Sequence, residues 1–321
     1  MTAEGPKHLK SVLTTADKSD WSLLALAIRV CQVAATKCET GKCELYDNRA
    51  VDFCLNLLRD ETISEDAAIH VCGLLGAVCV NDDETSQVVA APGHPGMAAS
   101  RAFATGRELG KRSNPILLSV LKRTEASAPK LLGALMTAVR KVSVNDECCQ
   151  VFADEGGIAI ALAVLKANGA TAKPLANSGI SMLRQLAAND ASKGIIINEG
   201  GLEVLSALVK VHADAPGIIE QAIGTFAALF LRNPDGCDLA ASTGCIELIL
   251  SVMKDHADNG SIQRQGSMAL RNMAARNLDL RSVILGHGAE ELLRSAKERF
   301  KPQCGDVAGA ALRDLGCDEW Q

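Results

Sequence analysis

The chain has 321 residues, of which 48% are hydrophobic and only 3% aromatic, and its 33 basic and 38 acidic residues leave a formal net charge of −5. Many small aliphatic and few aromatic side chains favour packed helices over an aromatic-rich β core. Because the charges are spread along the chain without a basic stripe, we expect neither nucleic-acid binding nor attraction to anionic lipid.

The amino-terminal residues 1–17 lack the apolar core of a signal peptide, and we expect a flexible segment there. No stretch approaches 18 uninterrupted apolar residues, so we expect no membrane insertion. These features indicate a cytoplasmic protein, with the cytoskeleton or cilium and the nucleus as alternative locations.

The cysteines have the pattern of structural thiols. Cys31, Cys54 and Cys72 lie among Val, Leu and Ala at helical spacing, where a thiol acts as a small hydrophobic group. The adjacent Cys148 and Cys149 would diverge by about 100° on a helix, which suits no shared metal ion. We therefore predict reduced thiols and no metal or other cofactor.

A repeat of 44 residues governs most of the chain. Asparagines and glycines both recur at this interval: Asn145, Asn189, Asn233 and Asn277, and Gly156, Gly200, Gly244 and Gly288. The segment 80–82 resembles 144–146 but lies 64 residues earlier, which indicates a twenty-residue insertion in one repeat. Such self-similarity is the signature of a repeat architecture.

These intervals predict one solenoid domain over residues 18–321. It begins with a half-repeat, and six whole repeats follow. The predicted boundaries are 18–36 for the half-repeat and 37–80, 81–144 with an insertion at about 83–112, 145–188, 189–232, 233–276 and 277–321 for the repeats.

Each repeat is predicted to hold three helices. The recurring Asn suits the N-cap of a short first helix, and Pro234 then takes the favoured first helical position. The recurring Gly suits a turn with positive φ before the second helix, as in 201–210. The third helix, as in 218–231, is apolar on more than one face, so neighbouring repeats must stack to bury it.

Three helices per unit, the Gly turn and the segment Ala269–Ala274 resemble the armadillo repeat. HEAT repeats, with two helices and no such Gly, are the alternative. The resemblance covers the chain from about residue 18 and implies an all-α, right-handed solenoid that binds proteins in a concave groove of third helices. Three C-terminal segments are similar to one branch of the family: 263–272, 284–292 and 306–317.

The resemblance also places one groove position on each third helix, which is Asn in the peptide-binding members. The residues at this position are Ala77, Lys141, Gln185, Leu229, Asn272 and Asp314. The Trp that those members place one turn earlier is absent, so we do not expect recognition of nuclear-import signals.

An arginine precedes this position in four repeats, and such a row suits the carboxylates of an acidic protein partner. The candidate partner-binding residues are Arg140, Lys141, Arg184, Gln185, Arg271, Asn272, Arg313 and Asp314. The alternative is that these arginines pair with Asp and Glu of neighbouring repeats.

The insertion is the second candidate docking element. Residues 92–96 predict a loop, and 97–109 predict a helix that carries charged side chains. The candidate residues there are His94, Arg101 and Arg107. The alternative is that this helix replaces the missing first helix of its repeat.

Catalytic patterns are weak. His212 and His256 lie 44 residues apart in matching loops, but no third metal ligand recurs with them. The glycine pairs lack the Gly-Lys-Ser/Thr ending of a phosphate loop. We therefore predict no enzymatic activity and no small-molecule substrate. The predicted function is a scaffold or adaptor for proteins, and the alternative is a structural subunit of a ciliary, cytoskeletal or other large assembly.

Overall fold

The computed structural model describes residues 20–80, 82 and 102–318, so the segment 1–17 and most of the insertion lie outside it. Of the described residues, 79% are helical and none is in a strand. Within this part of the chain, no single helix is long and apolar enough to cross a membrane. Two bent helix pairs, Asp146–Asp154 with Gly157–Asn168 and Pro234–Ser242 with Cys245–Asp255, reach that length and apolarity together.

The helices fall into two compact units, one ending at Ile160 and one starting at Ala161. The first holds α1 (Trp21–Ala35), α2 (Glu39–Asp47), α3 (Ala50–Leu57), α4 (Glu65–Val78), α5 (Ala102–Arg123), α6 (Pro129–Val142) and α7 (Asp146–Asp154). Helix α8 (Gly157–Asn168) contains the boundary. The single domain over 18–321 stays a prediction.

The second unit contains the repeats with the clearest period. Its helices are α9 (Lys173–Leu186), α10 (Asp190–Asn198), α11 (Gly201–Val211), α12 (Pro216–Phe230), α13 (Pro234–Ser242), α14 (Cys245–Asp255), α15 (Gly260–Ala274), α16 (Asp279–Gly286), α17 (Ala289–Arg299) and α18 (Lys301–Leu315). The third helices α9, α12, α15 and α18 pack against one another in chain order.

Side-chain caps start three of the first helices as predicted. The side chains of Asn145, Asn189 and Asn233 accept hydrogen bonds from the backbone amide three residues further on, at 3.0, 2.9 and 3.2 Å. Pro234 is the first residue of α13, where its missing N–H costs no helical hydrogen bond. The asparagine signal therefore marks the starts of α7, α10 and α13.

The same prediction is wrong for Asn277. Helix α16 begins at Asp279, and Leu278 before it makes no side-chain cap. The Asn277 amide instead donates a hydrogen bond to the Asp238 carboxylate. That side chain is therefore committed to a neighbouring repeat, and the helix starts one residue later than the period predicts.

The glycine turns are confirmed between the first and second helices. Gly156, Gly200, Gly244 and Gly288 have φ between 78° and 82°, a conformation that a side chain disfavours. Arg49 occupies this place before α3, with φ of 59°. Helix α3 therefore begins directly after Arg49, as α8 begins directly after Gly156. The turn in the repeat predicted from residue 37 lies one residue later than the 44-residue interval predicts.

The third helices are buried on several sides, as their composition predicts. Helix α12 lies between α9 and α15, and ten of its fifteen residues are buried. Phe226 and Phe230 are both fully buried there, with stacked rings whose centroids are 5.8 Å apart. This packing fixes the spacing of the third helices and so the positions of the side chains on their outer face.

The insertion ends differently from the prediction. The helix expected to stop at Leu109 continues unbroken to Arg123, through Pro115 in its interior. The residues before Pro115 lengthen the second helix of the repeat and pack against α7. The extension is held by a close approach, because a Cβ placed on Gly110 would lie 2.3 Å from the Val142 carbonyl oxygen.

A buried lysine joins the first helix of a repeat to the end of its third helix. The side chain of Lys193 is 3% exposed, and its Nζ donates to Asp190 Oδ1 at 2.7 Å and to the Leu231 carbonyl at 2.9 Å. Lys42 bonds the Val80 carbonyl in the same way. In both cases the ammonium group satisfies a carbonyl just beyond the third helix.

We therefore expect Lys193→Met to lower the free energy of unfolding by about 1–3 kcal/mol, because the change leaves the Leu231 carbonyl without its donor. Denaturant titration followed by circular dichroism measures this. Lys210→Met, at an exposed position of α11, is the matched control. Equal stability of the two variants would contradict the prediction.

Candidate functional site

In the second unit, the solvent-exposed side of the third helices carries the Arg184 cluster, which consists of Arg184, Gln221 and Gln265. Arg184 Nη1 donates to Gln221 Oε1 at 3.3 Å, and Nη2 donates to Gln265 Oε1 at 3.2 Å. The guanidinium group lies on Gly224, where an added Cβ would be 2.5 Å from Arg184 Cζ. One arginine of α9 therefore bonds α12 and α15 and remains half-buried on the surface.

Two further arginines of the predicted row converge on one carboxylate. Arg271 Nε donates to Asp314 Oδ2 at 3.1 Å, and Arg313 donates to Asp314 Oδ1 through Nε and Nη2 at 3.0 and 2.9 Å. The Asp314 side chain is only 17% exposed. For Arg271, the alternative predicted from the sequence therefore holds, since its partner is an acidic residue of the next repeat.

At the position that is Asn in peptide-binding members, the side chains of this unit are likewise bonded or buried inside the chain. Asn272 Nδ2 donates to the Ala227 carbonyl of the preceding third helix at 2.8 Å. Leu229 is fully buried, while Gln185 is half-buried and has a bonding partner of its own. In this unit the predicted row joins third helices to one another at several points.

Gln221 and Gln265 were not predicted from the sequence, although they lie 44 residues apart, at the interval of the repeat itself. Arg264 was not predicted either, and its Nη1 donates to Asp306 Oδ1 of α18 at 2.8 Å. Polar residues that recur one to two turns before the arginine row would have indicated these contacts.

In the first unit, the predicted pair Arg140 and Lys141 has a different environment. The Lys141 stem lies on Gly76 of α4, where an added Cβ would be 2.6 Å from Lys141 Cδ. Burial lowers the pKa of Lys141, and the nearby Arg140 and Lys42 lower it further. Both side chains of the pair are half-buried, and Ala77, the residue of this row on α4, is buried.

Neither Arg140 nor Lys141 has a hydrogen-bond acceptor or an ion-pair partner among residues 20–80, 82 and 102–318. This distinguishes them from Arg184, Arg271 and Arg313, each of which has an acceptor inside the protein. The predicted row therefore contains one pair of cations without a bonded acceptor in the described part of the chain, although the nearby Asp82 carboxylate raises the pKa of Lys141.

Comparison with known proteins connects this arrangement to a fold. No known family and no curated protein matches the chain by sequence. A designed armadillo repeat protein in complex with the peptide (KR)4 has a similar structure, with a TM-score of 0.62 and 15% identity over 84% of this chain and 98% of that one. A second designed armadillo repeat protein gives 0.55 and 16% over 97% and 99%.

The chain has the armadillo-type α-solenoid fold. A third similar structure, of a phosphorylation switch that controls the interaction between cadherin and β-catenin, gives a TM-score of 0.50 and 14% identity over 96% of this chain and 60% of that one. Three helices per repeat with a left-handed glycine between the first two agree with the armadillo pattern rather than with the HEAT alternative.

Within the armadillo fold, the insertion residues His94 and Arg101 lie outside the described residues. Arg107 lies on the extended helix α5 with its side chain exposed, and its carbonyl oxygen accepts from the Cys148 thiol at 3.6 Å. Of the three predicted insertion residues, Arg107 is therefore the one that the structure describes.

Two of the groups that could serve catalysis, His212 and Cys149, are buried, whereas His256 is partly exposed. His212 is buried, and its Nε2 donates to the Gly169 carbonyl at 2.7 Å. Burial raises the pKa of Cys149 to about 12, so this thiol stays protonated at neutral pH. Among the described residues, no three His, Cys, Asp or Glu side chains are grouped to hold a metal ion.

Proposed function

We propose that this armadillo-fold chain is a non-catalytic scaffold or adaptor that binds partner proteins on the face formed by its third helices. The observation that carries the proposal is the Arg184 cluster, in which a half-buried guanidinium group is fixed on Gly224 by two glutamines. A guanidinium group has five N–H donors. Two bonds to glutamines therefore leave donors for a partner.

Two considerations support a protein as the ligand. Polar side chains of fixed orientation on successive third helices can bond the backbone groups of an extended peptide. Two similar structures are of proteins described with a bound peptide or with a cadherin interaction. Arginine-rich positions favour a partner with acidic residues. The insertion at about 83–112 is proposed as a second docking element.

Partner capture tests this proposal. Affinity purification of the tagged full chain from cells that express it is compared between the wild type and Arg184→Glu. Lys210→Glu, on the exposed face of a second helix, is the control of equal charge change. We expect a specific partner to be lost only with Arg184→Glu, and unchanged capture by that variant would argue against this face.

A specific observation favours the alternative of a stably incorporated structural subunit, as in a ciliary or cytoskeletal complex. Four apolar side chains line one side of α1 at i, i+3, i+7 and i+10, and all of them are exposed. They are Leu23, Leu26, Val30 and Val33, with exposed fractions of 42, 59, 42 and 67%. Such a stripe is typical of a surface that a permanent neighbour covers.

The two functions differ in the behaviour of the purified chain. A transient adaptor is expected to be a soluble monomer in size-exclusion chromatography. A subunit is expected to aggregate alone and to co-purify with its assembly in fixed stoichiometry. We also propose a cytoplasmic location, with the cytoskeleton or cilium and the nucleus as alternatives, and kinship with armadillo repeat-containing protein 6 from the C-terminal segments 263–272, 284–292 and 306–317. Imaging of the tagged chain tests the location.

A further inference from the structure

Among the described residues, three cations and one carboxylate lie together at the carboxyl ends of α4 and α6. Lys42 is almost fully buried, and its Nζ forms an ion pair with Asp82. Arg140 and Lys141 lie close by, since both Arg140 and Lys42 lower the pKa of Lys141 while Asp82 raises it. The one carboxylate of this group is already bonded to Lys42, so two positive charges remain without a bonded counter-charge among the described residues.

The position of Lys141 is set by packing. Its stem covers Gly76, whose missing side chain leaves the space that Lys141 Cδ occupies. A lysine normally extends into water, where its ammonium group is well hydrated. Here the partial burial that lowers the pKa of Lys141 removes some of that water, and the charged form would gain from an anion.

Arg140 adds the geometry of a bidentate donor beside this point charge. A guanidinium group presents paired N–H donors that match the two oxygens of a carboxylate, and an ammonium group reinforces the same anion. Both side chains are half-exposed and so remain accessible from solvent. The pair therefore combines access from solvent, a packed Lys141 stem and two positive charges that no described residue bonds.

We propose that Arg140 and Lys141 form an anion site that binds a carboxylate side chain of an acidic, extended segment of a partner protein. The inference rests on the proposed scaffold function and assigns one chemical contact to it. It also divides the predicted row into two parts, because Arg271 and Arg313 bond Asp314, whereas Arg140 and Lys141 have no acceptor among the residues that the structure describes.

Binding of a fluorescent octaglutamate peptide to the full chain tests the site, with octalysine as the peptide control. We expect saturable binding of octaglutamate that weakens with salt, and about tenfold weaker binding by Arg140→Met and Lys141→Met. Lys122→Met, at an exposed position of α5, is the matched control and should bind as the wild type does.

A second variant keeps the charge and moves it. Gly76→Ala places a methyl group where the Lys141 stem lies, and the stem is flexible enough to shift without unfolding the chain. We expect weaker octaglutamate binding without a fall in the melting temperature, because alanine is also the better helix former. Equal binding by Lys141→Met and Lys122→Met would overturn the proposal, and so would absence of octaglutamate binding to the wild type. Stronger binding of inorganic phosphate than of the peptide would overturn the assignment to a carboxylate.

The outcome is distinguishable from failure of the scaffold function. If a native partner is captured equally by the wild type and Lys141→Met, the scaffold function stands and the anion site is wrong for it. If octaglutamate binds at Lys141 but no partner is captured from cells, the anion site stands and the scaffold function fails.

Discussion

Phe226→Ala is expected to lower the free energy of unfolding by about 3–5 kcal/mol, the range for removing a large aromatic side chain from a packed core. Phe226 is fully buried in α12, and its ring stacks on Phe230 with an interplanar angle of 11°. Helix α12 lies between α9 and α15, so the cavity would weaken both contacts. Denaturant titration and thermal melting, both followed by circular dichroism, measure the effect.

Leu239→Ala is the control for this change. Leu239 is 41% exposed on the first helix of the next repeat, so its truncation removes apolar atoms that are partly in water already. We expect a much smaller loss of stability. A loss for Phe226→Ala no larger than that for Leu239→Ala would show that α12 is not the packed centre of its unit.

Gly110→Ala is expected to destabilise the first unit by about 1–3 kcal/mol or more, the usual range for overpacking. The added Cβ would lie 2.3 Å from the Val142 carbonyl oxygen and 2.5 Å from Cys148 Sγ. The first of these atoms belongs to the backbone and cannot rotate away. The extended part of α5 would therefore separate from α6 and α7.

Gly194→Ala controls for the helix propensity of the new residue. Gly194 lies within helix α10, and no atom lies within 4 Å of an added Cβ, so alanine should stabilise the chain by about 0.5–1 kcal/mol. Melting temperatures that move in opposite directions for the two variants are the expected result. A rise for Gly110→Ala would contradict the close packing of α5.

The repeat could be predicted because its signals are local. An Asn oxygen that caps a helix and a glycine with positive φ act within a few residues of themselves, and both recur at fixed intervals. The start of α16 was not predicted correctly because the Asn277 amide bonds Asp238 in another repeat. The turn at Arg49 was not predicted because a non-glycine residue adopts the left-handed conformation there.

The course of α5 could not be predicted for a related reason. Pro115 is a helix breaker by propensity, yet the helix continues through it because both sides pack against other helices. The glycine that allows this approach, Gly110, looks like any other glycine in the sequence. Tertiary packing decided the length of this helix.

For the candidate site, the sequence predicted positions and could not predict partners. The register placed arginines on four of the third helices, and in the structure Arg184, Arg271 and Arg313 donate hydrogen bonds to other residues of the chain. Whether a cation is paired depends on distances of a few ångström between side chains of different repeats. Only the structure distinguishes Lys141, which lies on Gly76 without an acceptor among the described residues, from Arg184.

The Arg184 cluster also affects how the repeats of the second unit unfold. Repeat proteins are commonly described by the stability of each repeat plus an interaction with its nearest neighbour. The bond from Arg184 to Gln265 spans 81 residues and joins the third helices of repeats that are not adjacent in the chain. A ligand that displaced Arg184 from Gln265 would remove a stabilising contact from a repeat that the ligand does not touch. Because this contact joins repeats that are not neighbours, we expect the third helices to unfold cooperatively and not one repeat at a time.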